Sequence, residues 1–191
     1  MRLSKLAKRL SESQLQSPRS KKPDGVIDLS SGSPEIDTPT SLKDLATEAI
    51  RSGHNQYAHP WGDFRLRELL ADQAKRQTGF APDPDAHITV TAGTSSALSI
   101  TLLSILEPDS QVIVLEPYFE GTISAIRLAG GEERLVSLAF DGNSWQINWR
   151  ALNRAFNRKT RAIIINTPHN PTGAMLSRSD LDRLLDLCGK W

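Results

Sequence analysis

The second half of the chain repeats one pattern, and that pattern limits the folds open to it. A short β-rich run is followed by a helical run four times. "HITVT" precedes "SSALSITLLSIL", "SQVIVLE" precedes "YFEGTISAIRLA", "ERLVSL" precedes "NWRALNRAFN", and "RAIIIN" precedes "SRSDLDRLLDLC". Such repetition builds an α/β layer with a largely parallel sheet. The β-rich runs are continuous apolar stretches rather than alternating ones, as strands covered by helices on both faces require. In such sheets ligands bind beyond the carboxyl ends of the strands, so the loops there are the place to look for function.

The remaining features fit a globular chain. Of 191 residues, 38% are hydrophobic and 24% charged, enough for one domain with a real core. No apolar run approaches the ~18 residues of a membrane span. A net charge of +1 gives no reason to expect a polyanionic partner such as nucleic acid. The charge is uneven, since residues 1–22 carry seven Lys/Arg against Glu12 alone. That segment, with Leu3, Leu6 and Leu10 at helical spacing, reads as an organelle transit segment or, preferably, as a solvated arm or short surface helix. "GVIDLSSGSPEIDTP" reads as an extended segment turning at Gly32. Two helices follow, one over 41–52 with Ser41 as N-cap and Gly53 as its stop, the other around 62–77. A boundary is expected near residue 40, dividing the chain into 1–40 and 41–191. Cys188, the only cysteine, falls in the apolar pattern of the last helix and is expected to be buried. The four His show no metal spacing, so no metal site is expected.

Three loops at strand ends carry candidate chemistry. In "TAGTSSAL", Gly93 turns the chain and Thr94, Ser95 and Ser96 open a helix. Free N–H groups and the positive end of a helix dipole beside hydroxyls make a phosphate cradle, or a plain N-cap. The stretch is neither a dinucleotide fingerprint nor a P-loop. In "EPYF", Phe119 could stack on a planar ligand, or pack in the core. In "NTPHNPTGA", Pro171 and Gly173 fix a turn that presents Asn170, whose amide can donate to a phenolic oxygen. Together the three suit a planar aromatic ligand that carries a phosphate.

These runs, with "IDLSSGSPEIDTP" and "YAHPWGDFRLRELLA", come in the order and spacing of a known family. The chain resembles the fold-type I, pyridoxal-phosphate-dependent aminotransferases of class I/II. The resemblance runs from near the N-terminus to Cys188, and "MRLSKLAKRL" resembles the family's start. It implies an aspartate aminotransferase-like large domain, with a mostly parallel sheet and helices on both faces, incomplete in this chain. Residues 1–40 then correspond to an N-terminal arm and small-domain segment, and 41–191 to part of the cofactor-binding large domain.

The resemblance also implies roles. Gly93, Thr94 and Ser95 match the phosphate cradle, Phe119 the ring stacked on the pyridine, and Asn170 the donor to the cofactor's 3-oxygen. Tyr57 matches a tyrosine reaching the cofactor phosphate of the neighbouring subunit. Gly32 matches a glycine lying against the substrate carboxylate. The prolines matching Pro117 and Pro171 tend to be cis in the family. The implied activity moves an amino group between an amino acid and a 2-oxo acid through pyridoxal 5'-phosphate, an electron sink. A cytoplasmic homodimer in amino acid metabolism and biosynthesis is implied with it.

The sequence departs from the family in one large respect. Its lysines are Lys5, Lys8, Lys21, Lys22, Lys43, Lys75, Lys159 and Lys190, and none has the family's Ser-x-Ser-Lys-like context. The Schiff-base lysine, the Asp on the pyridine nitrogen and the carboxylate-binding arginine are all expected after Trp191. Ser33 stands where an acidic or amide residue is common, and Phe119 where Tyr or Trp is frequent. The chain alone is expected to expose a sheet edge and an apolar face, and to turn over no amino acid. Other pyridoxal-phosphate chemistry on the same fold, a β-lyase or an aminocyclopropane-carboxylate synthase, and a non-catalytic pseudoenzyme fragment are the alternatives.

Overall fold

A computed structural model describes residues 36–191 together with Ser4, Leu6, Ala7, Leu10, Gly25 and Ile27. The turn expected at Gly32 and most of the basic arm lie outside the described residues. The chain divides into two compact units, Gln16–Thr91 and Ala92–Trp191 with Met1–Leu15.

In the first unit, helix α1 spans Thr40–Arg51 and α2 spans Phe64–Thr78. Helix α1 starts one residue before Ser41. The Pro39 carbonyl, not the Ser41 hydroxyl, receives the first free N–H groups, from Leu42 at 3.0 Å and Lys43 at 3.2 Å. The ring of Pro39 presets its φ, here −52°, for helix entry. At α2 the Asp63 carboxylate caps the helix, accepting from the Leu66 N–H at 3.1 Å, and Gly79 ends it with φ 77°. Arg67 is buried on α2 and ties three chain segments together. It donates to the Gly62 carbonyl at 3.1 Å, the Pro84 carbonyl at 2.7 Å and the Asp85 carboxylate at 2.6 Å. Gly62 has φ 101°, and a Cβ there would stand 2.6 Å from Val90 Cβ, so no other residue fits.

"HITVT" is extended but is not a strand. A strand needs a ladder partner, and the Val90 N–H finds only the Trp61 carbonyl, at 2.9 Å.

The second unit is built on strand β1 (Gln111–Glu116), whose four middle residues are all buried. It lies between β2 (Glu132–Ser137) and β5 (Thr160–Ile164), parallel to both. Val112 and Val114 point to one face, where they meet Leu102 of α3 (Gly93–Ile105) and Ile123 and Ile126 of α4 (Gly121–Leu128). Ile113 and Leu115 point to the other, against Leu152 of α5 (Trp149–Ala155) and Leu184 and Leu187 of α6 (Arg178–Cys188). Burial of a side chain of this kind contributes about 1.5–3 kcal/mol. The layer is therefore covered on both faces at β1. By contrast β2 is an edge strand, mostly exposed, and carries Glu132, Glu133 and Arg134 as charged edge residues do.

A two-stranded hairpin of β3 (Ala139–Phe140) and β4 (Trp145–Gln146) follows β2. The Asp141 carboxylate closes it, accepting the N–H groups of Asn143 at 2.9 Å and Ser144 at 2.7 Å, and Gly142 turns with φ 96°. The hydrogen bonds from Ser144 and Asn143 hold the Asp141 carboxyl below the usual carboxylate range. Helix α6 opens with a capping box between Ser177 and Asp180. Cys188, expected inside, is exposed. It is the last residue of α6, one position past Leu187 and so off the Leu184–Leu187 stripe. Among the described residues no helix is long and apolar enough to cross a membrane.

The two faces of β1 predict an asymmetry among leucines. Leu152→Ala, at a fully buried position, should lower unfolding stability by about 2–5 kcal/mol. Leu185→Ala, on the 70% exposed flank of α6, should change it by less than ~0.5 kcal/mol. Urea denaturation of the two variants checks this.

Candidate active site

The carboxyl ends of β1 and β5 and the start of α3 surround a cavity of about 380 Å³. Thr94, Phe119 and Asn170, from three separate loops, all line it. So do Tyr118, Thr122, Asn166 and His169.

The first wall is the N-terminus of α3. Gly93 begins the helix with φ 80°, in the left-handed region open to glycine. The N-cap position is Ala92, which gives no side-chain cap, and the first turn carries no acidic residue. The first-turn N–H groups and the dipole's positive end thus meet the Thr94 side chain without a competing carboxylate. Gly93 and Ser95 flank Thr94 on this turn and do not line the cavity themselves. Ser95 lines a smaller cleft with Ser99, Gly121 and Ser124.

The second wall is "PYF". The Glu116–Pro117 bond is cis, and Phe119 keeps 38% of its surface exposed. It is thus a ring held at the mouth, not a core residue. Gly121 makes room for it, since a Cβ there would stand 2.7 Å from Phe119 Cε1. One turn further on, Thr122 is buried. Among the described residues its hydroxyl has no hydrogen-bond partner, and no buried polar side-chain atom is sealed away unpaired. That hydroxyl therefore opens to the cavity that Thr122 lines.

The third wall is the turn after β5. Thr167–Pro168 and Asn170–Pro171 are both cis, the first unexpected from the sequence. The Asn166 side-chain oxygen accepts the Asn170 N–H at 2.7 Å. The His169 N–H donates to the Ala174 carbonyl at 2.8 Å, and the Gly173 N–H to the His169 carbonyl at 2.6 Å. Among the described residues the Asn170 side-chain amide has no hydrogen-bond partner, and Asn170 is exposed. His169 is 7% exposed, its Nδ1 lies 2.8 Å from Thr172 Oγ1, and burial pushes its pKa down from 6.5.

Tyr57 belongs to the first unit and is fully exposed on the loop between α1 and α2. Gly32 lies outside the described residues. Thr122 and His169 escaped sequence reading, although each had a signal. Thr122 follows Phe119 by three residues at a helix start, and His169 adjoins Asn170 in a turn.

The donor set fits a phosphorylated aromatic ring. It combines a helix N-terminus with no acidic residue in its first turn, the Thr94 hydroxyl, a half-exposed aromatic face and, among the described residues, the unpaired Thr122 hydroxyl and Asn170 amide. Among the described residues no lysine lines the cavity.

The chain matches the family described as aminotransferase class I and II over residues 24–190, and it belongs to that family. It is 36% identical over 163 residues to a probable N-succinyldiaminopimelate aminotransferase of Mycobacterium tuberculosis, covering 85% of this chain and 41% of that protein. It is also 36% identical over 163 residues to aromatic-amino-acid aminotransferase 2 of Thermococcus litoralis, with 85% and 42% covered. The fold matches the crystal structure of an aromatic aminotransferase from Pyrococcus horikoshii OT3 with a TM-score of 0.84 and 33% identity, over 97% of this chain and 47% of that one. The chain thus spans about two fifths of the length of the curated relatives it matches. The family is generally dependent on pyridoxal phosphate, and the aspartate aminotransferase-like α/β fold expected from the sequence is the one observed.

The lowered pKa of His169 predicts a pH dependence. In the unfolded chain the ring takes its proton near 6.5, in the folded chain only at lower pH. Its contribution to stability is therefore full above pH 6.5 and is lost as pH falls below that value towards the folded pKa. Unfolding midpoints measured from neutral into mildly acidic buffer should show this loss, and His169→Asn should lack that component.

Proposed function

We propose that the protein to which this sequence belongs moves an amino group between an amino acid and a 2-oxo acid, with pyridoxal 5'-phosphate as cofactor. The convergence of Thr94, Phe119 and Asn170 on one cavity carries this reading. The first turn of α3 holds the phosphate, through the main chain of Gly93, Thr94 and Ser95 and the Thr94 hydroxyl. Phe119 covers one face of the pyridine ring and keeps water from it. The Asn170 amide donates to the ring's 3-oxygen and fixes the ring's rotation. When bound, the cofactor supplies an electron sink for the carbanion at the substrate Cα.

The remaining assignments belong to the same proposal. Gly32 lies against the substrate carboxylate, and Tyr57 reaches the cofactor phosphate of a second copy in a homodimer. Residues 1–40 serve as arm and small-domain segment, and 41–191 as part of the large domain. The group that moves the Cα proton is a lysine outside this sequence. The setting is cytoplasmic amino acid metabolism.

A titration of the chain with pyridoxal 5'-phosphate, followed by the change in cofactor absorbance, tests the site. Pyridoxal, which lacks the phosphate, should bind at least about tenfold more weakly, the effect of losing charge-assisted hydrogen bonds. Asn170→Ala and Phe119→Ala should each weaken binding by about 1 kcal/mol. Equal binding of the two ligands, or no effect of either variant, would reject the reading.

A further inference from the structure

We propose that His169 is a positioning residue, whose Nδ1 accepts the Thr172 hydroxyl proton and so clips the turn that aims Asn170 into the cavity. The Thr172 Oγ1 already accepts the Ala174 N–H, at 3.2 Å. A hydroxyl carries one proton and two lone pairs: the Ala174 N–H occupies one pair, and among the described residues the acceptor within reach of the proton is a neutral His169 Nδ1, at 2.8 Å. The ring proton then sits on Nε2. Burial favours the neutral ring that this arrangement needs.

The clip reinforces two main-chain bonds of the same residue, from the His169 N–H to Ala174 and from the Gly173 N–H to His169. Asn170 lies inside the span they close. Its amide has no side-chain partner of its own, so its direction is set by the backbone that the clip and the Asn166 side chain hold. A ligand meeting an amide already aimed loses less freedom on binding. Only the affinity part of this inference rests on the cofactor reading; the hydrogen bond itself does not.

Two-bond ¹H–¹⁵N correlation on the labelled chain reads the tautomer directly. The expected result is His169 protonated at Nε2, with Thr172→Val, which deletes one hydroxyl, shifting the ring towards Nδ1–H. The Asn170 side-chain amide signals should move in Thr172→Val and His169→Ala. They should stay in place in His169→Asn, whose Oδ1 can take over from Nδ1. Affinity for pyridoxal 5'-phosphate should fall roughly three- to tenfold in the first two variants and return to within about twofold of the parent in the third. A parent ring protonated at Nδ1, or Asn170 signals indifferent to Thr172→Val, would overturn the proposal. If the parent binds no pyridoxal 5'-phosphate, the cofactor reading fails, and the tautomer and the Asn170 signals still decide the clip.

Discussion

Everything at the candidate site depends on β1 being buried on both faces. Val112 and Val114 are locked to α3 and α4, and Ile113 and Leu115 to α5 and α6. A strand held this way fixes where its carboxyl end stops, and it fixes the starts of the helices that pack on it. The ring of Phe119 follows that end, the N-terminus of α3 faces it across the cavity, and the turn bearing Asn170 follows β5, the strand paired in parallel with β1. Interiors packed this tightly have little slack, so a shift of β1 would move all three walls together.

The site spends few of its polar groups on the fold. Elsewhere, polar side chains are committed: Arg67 binds three segments, Asp141 closes the hairpin, and Ser177 with Asp180 caps α6. Around the cavity the amide of Asn170 and the hydroxyl of Thr122 find no partner among the described residues, and the N-cap position of α3 is an alanine that gives no side-chain cap. Leaving a capping bond unmade costs a helix about 1 kcal/mol. A binding site accepts such losses because a ligand restores the missing partners.

The sequence announced the layer through its period. Continuous apolar runs followed by helical spacing marked β1, β2, β5 and their helices. It misled where tertiary context decided. "HITVT" has strand composition, but composition supplies no neighbouring strand. Cys188 fits the helical spacing, but the burial stripe narrows where α6 ends. The hairpin has its own sequence signal, Asp141-Gly142 between two β-prone pairs, which the strand-then-helix period does not contain. At the site, residues with a motif were legible, whereas Thr122 and His169 required knowledge of which side chains turn inward. Arg67 was invisible for the same reason, since its three partners lie in other segments.

The central claim is that one ligand bridges the end of α3, Phe119 and the turn of Asn170. Mapping backbone and side-chain amide shifts of the chain during addition of pyridoxal 5'-phosphate tests it most directly. The account predicts that the amides of Gly93, Thr94 and Ser95 shift together with the Asn170 side-chain amide, along one saturation curve. Shifts gathered instead in the groove between the β3–β4 hairpin and Met175, with the α3 amides unmoved, would contradict it.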